Sequence, residues 1–132
     1  MEGRQCQGDW IGGVFFKARD PAALQAWYAR TVGMEIYDWG GAFLPAEGVA
    51  TVPGAGAVWS PFKEDTTYFA PSAKDFMINL IVDDLDGVLA RCKSEGVEPL
   101  TVLDEVNGRF AHILDPEDNK IELWEPKPMP AG

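Results

Sequence analysis

The sequence has one histidine, two cysteines, and 11 lysines and arginines against 21 aspartates and glutamates. Each scarcity removes a class of function. A formal charge of -10 leaves no basic face for nucleic acid or an anionic membrane surface, whereas a cationic ligand would be attracted. Cys6 and Cys92 make no spaced pair, and nothing near the N-terminus has the basic-then-apolar layout of a secretory signal, so a reducing, cytoplasmic setting is expected. No apolar run approaches the roughly 20 residues that a membrane-crossing helix needs. A single histidine also leaves no site that requires two imidazoles.

What is present suffices for one ordinary core: 132 residues, of which 46% are hydrophobic and 24% charged, are few for two independent domains. Residues 1–10 lack periodicity and read as an N-terminal arm whose Trp10 could tuck under the domain. The apolar, β-prone run IGGVFFKA then leads into Asp20-Pro21. Aspartate there can cap a first helical turn, and proline suits the first helical position because its missing N–H would be unpaired anyway. Leu24, Trp27, Tyr28 and Val32 fall on one helical face, and Gly33 supplies a left-handed stop. MEIYDW, GAFLPA, GVATVP and GAVWSP follow as short β-prone pieces broken by glycine and proline, a pattern expected to form a small antiparallel meander.

Residues 63–75 have neither a helical nor a strand period and carry Tyr68 and Phe69. They read as a crossing connection whose aromatic pair packs. FMINLIV is then an apolar strand, Asp84 a second acidic cap, and Leu85, Val88, Leu89 and Cys92 a second helical face closed by Gly96. VEPLTVLDE, NGRFAHIL and KIELWEP complete the chain as strands, the last two joined by a Pro-Glu-Asp-Asn turn. Strand, cap, helix and glycine have thus occurred twice. Asp20 falls on Asp84 and Ala26 on Ala90 at an offset of about 64, and Trp59-Ser60-Pro61 falls on Trp124-Glu125-Pro126 one residue further on. One such unit has a single apolar sheet face and one helix, so two must combine to cover their cores. The expected organisation is a single domain over 11–126, with module one at 11–62, the connection at 63–75, module two at 76–126, and a tail at 127–132.

FFKARDPAALQAWYARTVGM, INLIVDDLDGVLARCKSEGV and DPEDNKIELWEP together resemble the glyoxalase, bleomycin-resistance and extradiol-dioxygenase superfamily, the vicinal oxygen chelate fold. The resemblance spans residues 11–126, and its most specific part is the Asp-Pro-x-x-Asn turn followed by Ile-Glu-Leu. It implies an α+β fold of two tandem βαβββ modules forming a curved mixed sheet that encloses a cup, usually in a homodimer. It also implies four positions where such proteins commonly hold a divalent metal: Gly13, Ala57, Met77 and Glu122. Only Glu122 can ligate a hard cation, since glycine and alanine offer no donor and a lone thioether is soft. The expectation is therefore no metal and no other cofactor. Extradiol dioxygenase chemistry is set aside by counting, because its iron needs two histidines and a carboxylate.

His112 lies three residues before the turn aspartate. If Asp115 to Asn119 connect the last two strands, His112 faces Glu122, Phe110 faces Trp124 and Leu114 faces Lys120. Glu122 and His112 are then the candidate catalytic pair, with a carboxylate whose pKa an apolar cup would raise toward that of the imidazole. A structural histidine–glutamate hydrogen bond explains the same residues. Phe15, Trp59, Phe110 and Trp124 are candidate ligand-binding rings that equally suit a core, and Met77 and Asn79 share their strand face. Aromatic walls around one carboxylate suit a flat or cationic organic molecule. Lys17 and Arg109 are candidate rim cations, and Cys92 reads as a core thiol. Two functions follow: a protein binding a small organic molecule without metal, or a lyase, isomerase or epimerase moving a proton between Glu122, His112 and substrate. A shell serving only as a dimer partner is a third.

Overall fold

The computed structural model describes residues 14, 16, 18–44, 47, 51–56, 58 and 62–128. Helix α1 (Pro21–Val32) starts as its sequence dictates: the Asp20 carboxylate accepts the Ala23 amide at 3.1 Å, and Pro21 takes the first position. It stops at Gly33, whose φ of 75° a side chain would resist. Helix α2 (Leu85–Ser94) repeats the device, with Asp84 accepting the Gly87 amide at 3.1 Å.

Among the described residues, four strands, β1 (Ile78–Ile81), β2 (Thr101–Glu105), β3 (Gly108–Leu114) and β4 (Lys120–Pro126), form a mixed sheet in the order β1-β4-β3-β2. β1 runs parallel to β4, and the other neighbours are antiparallel. The fold is α+β, and its second module is the strand–helix–three-strand unit expected from the sequence. Because side chains alternate across a strand, the register divides the sheet cleanly. Ala111, Ile113, Ile121 and Leu123 point to one face and pack with Leu24, Trp27 and Tyr28 of α1 and Leu85 and Cys92 of α2. Phe110, His112, Lys120, Glu122 and Trp124 point to the other.

The Asp-Pro-x-x-Asn turn has a structural explanation. Oδ1 of Asp115 accepts the amides of Glu117 and Asn119 at 2.8 and 3.0 Å, while Oδ2 accepts Nδ2 of Asn119 and the Tyr28 hydroxyl, each at 2.7 Å. A single buried carboxylate thereby closes the β3–β4 connection and ties it to α1. Glu117, on the same turn, accepts the Arg19 and Asp20 amides at 2.7 and 2.9 Å, which holds its carboxyl below the usual range.

The expected meander of module one differs in its described part. Over 34–44 no strand ladder forms; Tyr37 and Gly41 instead close a turn, with the Tyr37 amide donating to the Gly41 carbonyl at 2.8 Å. Trp39, Phe43 and Leu44 stay exposed, so β propensity there is not rewarded by burial. Most of the N-terminal run IGGVFFKA, half of GVATVP and most of GAVWSP lie outside the described residues.

Candidate functional site

The face of the sheet turned away from the helices carries the site. Glu122 stands at its centre on β4, flanked by Asn79 on β1 and His112 on β3, because Asn79 pairs with Glu122 and Glu122 with His112 in the ladder. Nε2 of His112 lies 2.8 Å from Oε2 of Glu122, and Nδ2 of Asn79 donates to Oε1 at 2.8 Å. The third partner comes from the crossing connection: the Tyr68 hydroxyl donates to Oε2 at 2.6 Å and lies 3.3 Å from Nε2 of His112. The His112 and Tyr68 rings meet edge-on, their centroids 5.3 Å apart. At one end of this row Lys120 donates to the Tyr68 carbonyl at 2.5 Å, with its ammonium 5.1 Å from the centre of the Tyr68 ring. At the other end the Phe110 and Trp124 rings lie nearly parallel, at 2° and 6.0 Å, and the indole N–H donates to the Asn107 carbonyl.

The electrostatics correct one expectation. Burial does push the Glu122 carboxyl up, but hydrogen bonds from His112, Tyr68 and Asn79 outweigh it and hold the group below the ordinary carboxylate value. Glu122 is thus ionised near neutral pH instead of being raised toward the imidazole range. An ionised carboxylate only accepts, so the hydrogen shared with His112 sits on Nε2. Burial also pushes the Tyr68 phenol up, and its bond to Glu122 adds to the shift, which keeps Tyr68 protonated as a donor.

Of the residues expected from the sequence, the structure brings together Glu122, His112, Asn79, Phe110 and Trp124. Met77 is half-buried immediately before β1. Phe15 and Trp59 lie outside the described residues, as do Gly13, Ala57 and Lys17. Arg109 points to the helix side, 2.9 Å from Asp86 of α2, and so is no anion-binding cation at the rim of this face. Tyr68 and Lys120 were not among the expected site residues. For Tyr68 the available signal was an aromatic pair in a connection without its own period.

Of the four positions that the resemblance implies for a divalent metal, the two described ones, Met77 and Glu122, offer one soft thioether and one carboxylate, a poor set for a hard cation. Nε2 of His112 and both Glu122 oxygens are engaged in the hydrogen bonds that join them to each other, to Tyr68 and to Asn79. Among the described residues, no three His, Cys, Asp or Glu side chains converge. Two surface hollows lie away from the site: about 270 Å³ beside Arg19, Asp20, Leu24 and Glu117, and about 360 Å³ beside Val52, Asp83 and Glu125.

The chain is thus an α+β protein with helices on one face of a mixed sheet and a polar row between aromatic rings on the other. Residues 13–124 match the model of the glyoxalase-like domain family, and the chain belongs to that family. No curated protein sequence matches it. Among solved structures, the chain is similar to TnmS3, an antibiotic binding protein from Streptomyces sp. CB03234, at 25% identity and a TM-score of 0.50, over 82% of this chain and 88% of that one. It also shares its fold with a protein of unknown function from Agrobacterium tumefaciens str. C58, at 15% identity and a TM-score of 0.56, over 93% and 98% of the two chains.

Proposed function

We propose that the protein binds a small aromatic organic molecule on the outer sheet face, beside Phe110 and Trp124 and around Glu122, without a metal. The observation that carries this reading is the state of Glu122: a carboxylate with three side-chain donors, held ionised, is built to accept hydrogen bonds and is a weak proton acceptor. The aromatic pair beside it supplies stacking surface. The likeness to an antibiotic binding protein supports a binding role of the same kind. A cytoplasmic setting agrees with the free, buried thiol of Cys92. Among the described residues, no helix is long and apolar enough to cross a membrane.

The test is a thermal-shift screen of flat aromatic compounds, cationic and neutral, followed by calorimetry on Phe110→Ala. A ligand in 100-fold excess over its Kd should stabilise the fold by about 2.7 kcal/mol. Phe110→Ala should weaken binding at least tenfold while the far-ultraviolet circular dichroism is kept. An absence of stabilisation across the screen at millimolar concentrations would remove the reading. The Glu122–His112 hydrogen bond favours a second reading, a lyase, isomerase or epimerase in which the pair relays a proton. In that case, turnover with a carbonyl substrate should fall steeply in both Glu122→Gln and His112→Ala.

A further inference from the structure

The segment from Phe62 to Asp75 lies across the site as a strap with a distinctive attachment. Its backbone hydrogen bonds are local turns: Thr66 to Lys63, Ala70 to Thr67 and Ser72 to Phe69, at 3.0 to 3.1 Å. Phe62 and Tyr68 stack at 5.5 Å, and Phe69 sits 5.1 Å from Phe62, so the strap has a small aromatic cluster of its own. It meets the sheet face through Tyr68, whose hydroxyl reaches Glu122 and His112 and whose carbonyl accepts from Lys120. Yet Phe62 and Tyr68 are 46% and 37% exposed, well outside the core. A partly exposed ring has therefore placed its one polar atom on a buried carboxylate. Tyr68 is held by its bond to Glu122, by Lys120 and by ring contacts with Phe62 and His112, and a partly exposed ring held in this way can be exchanged for a better-packed group carrying the same donor.

Building on the binding reading above, we propose that Tyr68 is a displaceable internal phenol, and that the site selects ligands whose own phenolic hydroxyl takes its place on Glu122. Two consequences follow from the chemistry of the carboxylate. The ligand must bring a donor, because an ionised carboxylate has none to give. An aromatic anion is rejected, because it would set two like charges together where little water screens them. The site then discriminates by hydrogen bonding. Phe110 and Trp124 provide affinity for the ring, while Glu122, His112 and Asn79 read the substituent.

The experiment uses the full chain and three matched probes: 2-naphthol, 2-methoxynaphthalene and 2-naphthoate. Calorimetry on the wild type should give binding to 2-naphthol, binding weaker by roughly tenfold for the methyl ether, which leaves the carboxylate short of a donor, and none for the anion. Tyr68→Phe keeps the ring and removes the competing hydroxyl, so 2-naphthol should bind it roughly five-fold more tightly than the wild type. Lys120→Met, which releases the other anchor, should move affinity in the same direction. In side-chain NMR spectra, saturating 2-naphthol should shift the Tyr68 and Phe62 ring resonances. If 2-naphthol and its methyl ether bind equally, and both lose affinity in Phe110→Ala, the aromatic face still binds ligand and the Tyr68 exchange is wrong. Unchanged or weakened 2-naphthol binding in Tyr68→Phe likewise overturns it. If none of the three probes binds, the phenol selectivity fails, whereas the broader binding reading stands or falls with its own screen.

Discussion

At the scale of single residues, two buried acids shape this molecule in different ways. Asp115 joins the β3–β4 turn to α1 through Tyr28, whose phenol is raised well above its ordinary value of 10.0 by burial and by the carboxylate it donates to. A raised folded pKa contributes stability that is complete below the unfolded value and lost as pH climbs through the folded one. Tyr28→Phe should therefore destabilise the fold by about 1.5–3 kcal/mol at neutral pH, read from urea unfolding, and reduce the steepness of the alkaline limb above about pH 10. Glu122 behaves oppositely. Its folded pKa lies below the ordinary 4.5, so its contribution is complete above that value and lost as pH falls through the folded pKa. Glu122→Gln should flatten the acid limb of the stability curve between about pH 5 and pH 3; an acid limb identical to that of the wild type would contradict the hydrogen-bonded carboxylate.

At the scale of elements, the two helices and the last hairpin were legible because their signals are local. Asp20-Pro21 with Gly33, and Asp84 with Gly96, mark helix ends through bonds that span three to five residues. The β2–β3 hairpin depends on Gly108, at φ 150°, where a Cβ would run into the Trp124 indole nitrogen and lie 2.7 Å from the Glu125 carbonyl oxygen. Gly108→Ala should lower Tm by several degrees and shift tryptophan emission, because β3 and the Trp124 ring cannot both keep their places. The strap from Phe62 to Asp75 was not legible in the same way. Its sequence has no period, and the partners of Tyr68 lie 44 and 54 positions away. MEIYDW and GAFLPA have the β propensity of strands, but over 34–44 no ladder forms: Met34 packs partly against the core, whereas Trp39, Phe43 and Leu44 stay exposed.

For the whole molecule, the exposed rings and aliphatic side chains carry the argument. Trp39, Phe43 and Leu44 are 69%, 66% and 64% exposed within one short stretch, and Val102 and Val106 lie open at the β2 edge. Apolar surface of this kind is commonly covered by a partner. We propose a homodimer as the working assembly, as the family resemblance implies. Sedimentation velocity at tens of micromolar should give two chains per particle, and Phe43→Ser should shift the equilibrium toward single chains. A monomer at that concentration would leave the exposed residues to some other role.

The carboxylate, the histidine opposite it and the asparagine beside it could be placed from sequence, because strand alternation and one recognisable turn set which residues face each other. Among the described residues, the arrangement of capped helices on a mixed sheet followed from capping residues and apolar faces for the same reason: each signal acts over a few bonds. Only the tertiary structure decided the state of Glu122. Burial acting alone raises a carboxyl, and a local reading cannot count the donors that arrive from elsewhere. Here Tyr68, Asn79 and His112 come from three separate segments and together outweigh desolvation, so the carboxyl lies below its ordinary value instead of being raised toward the imidazole range.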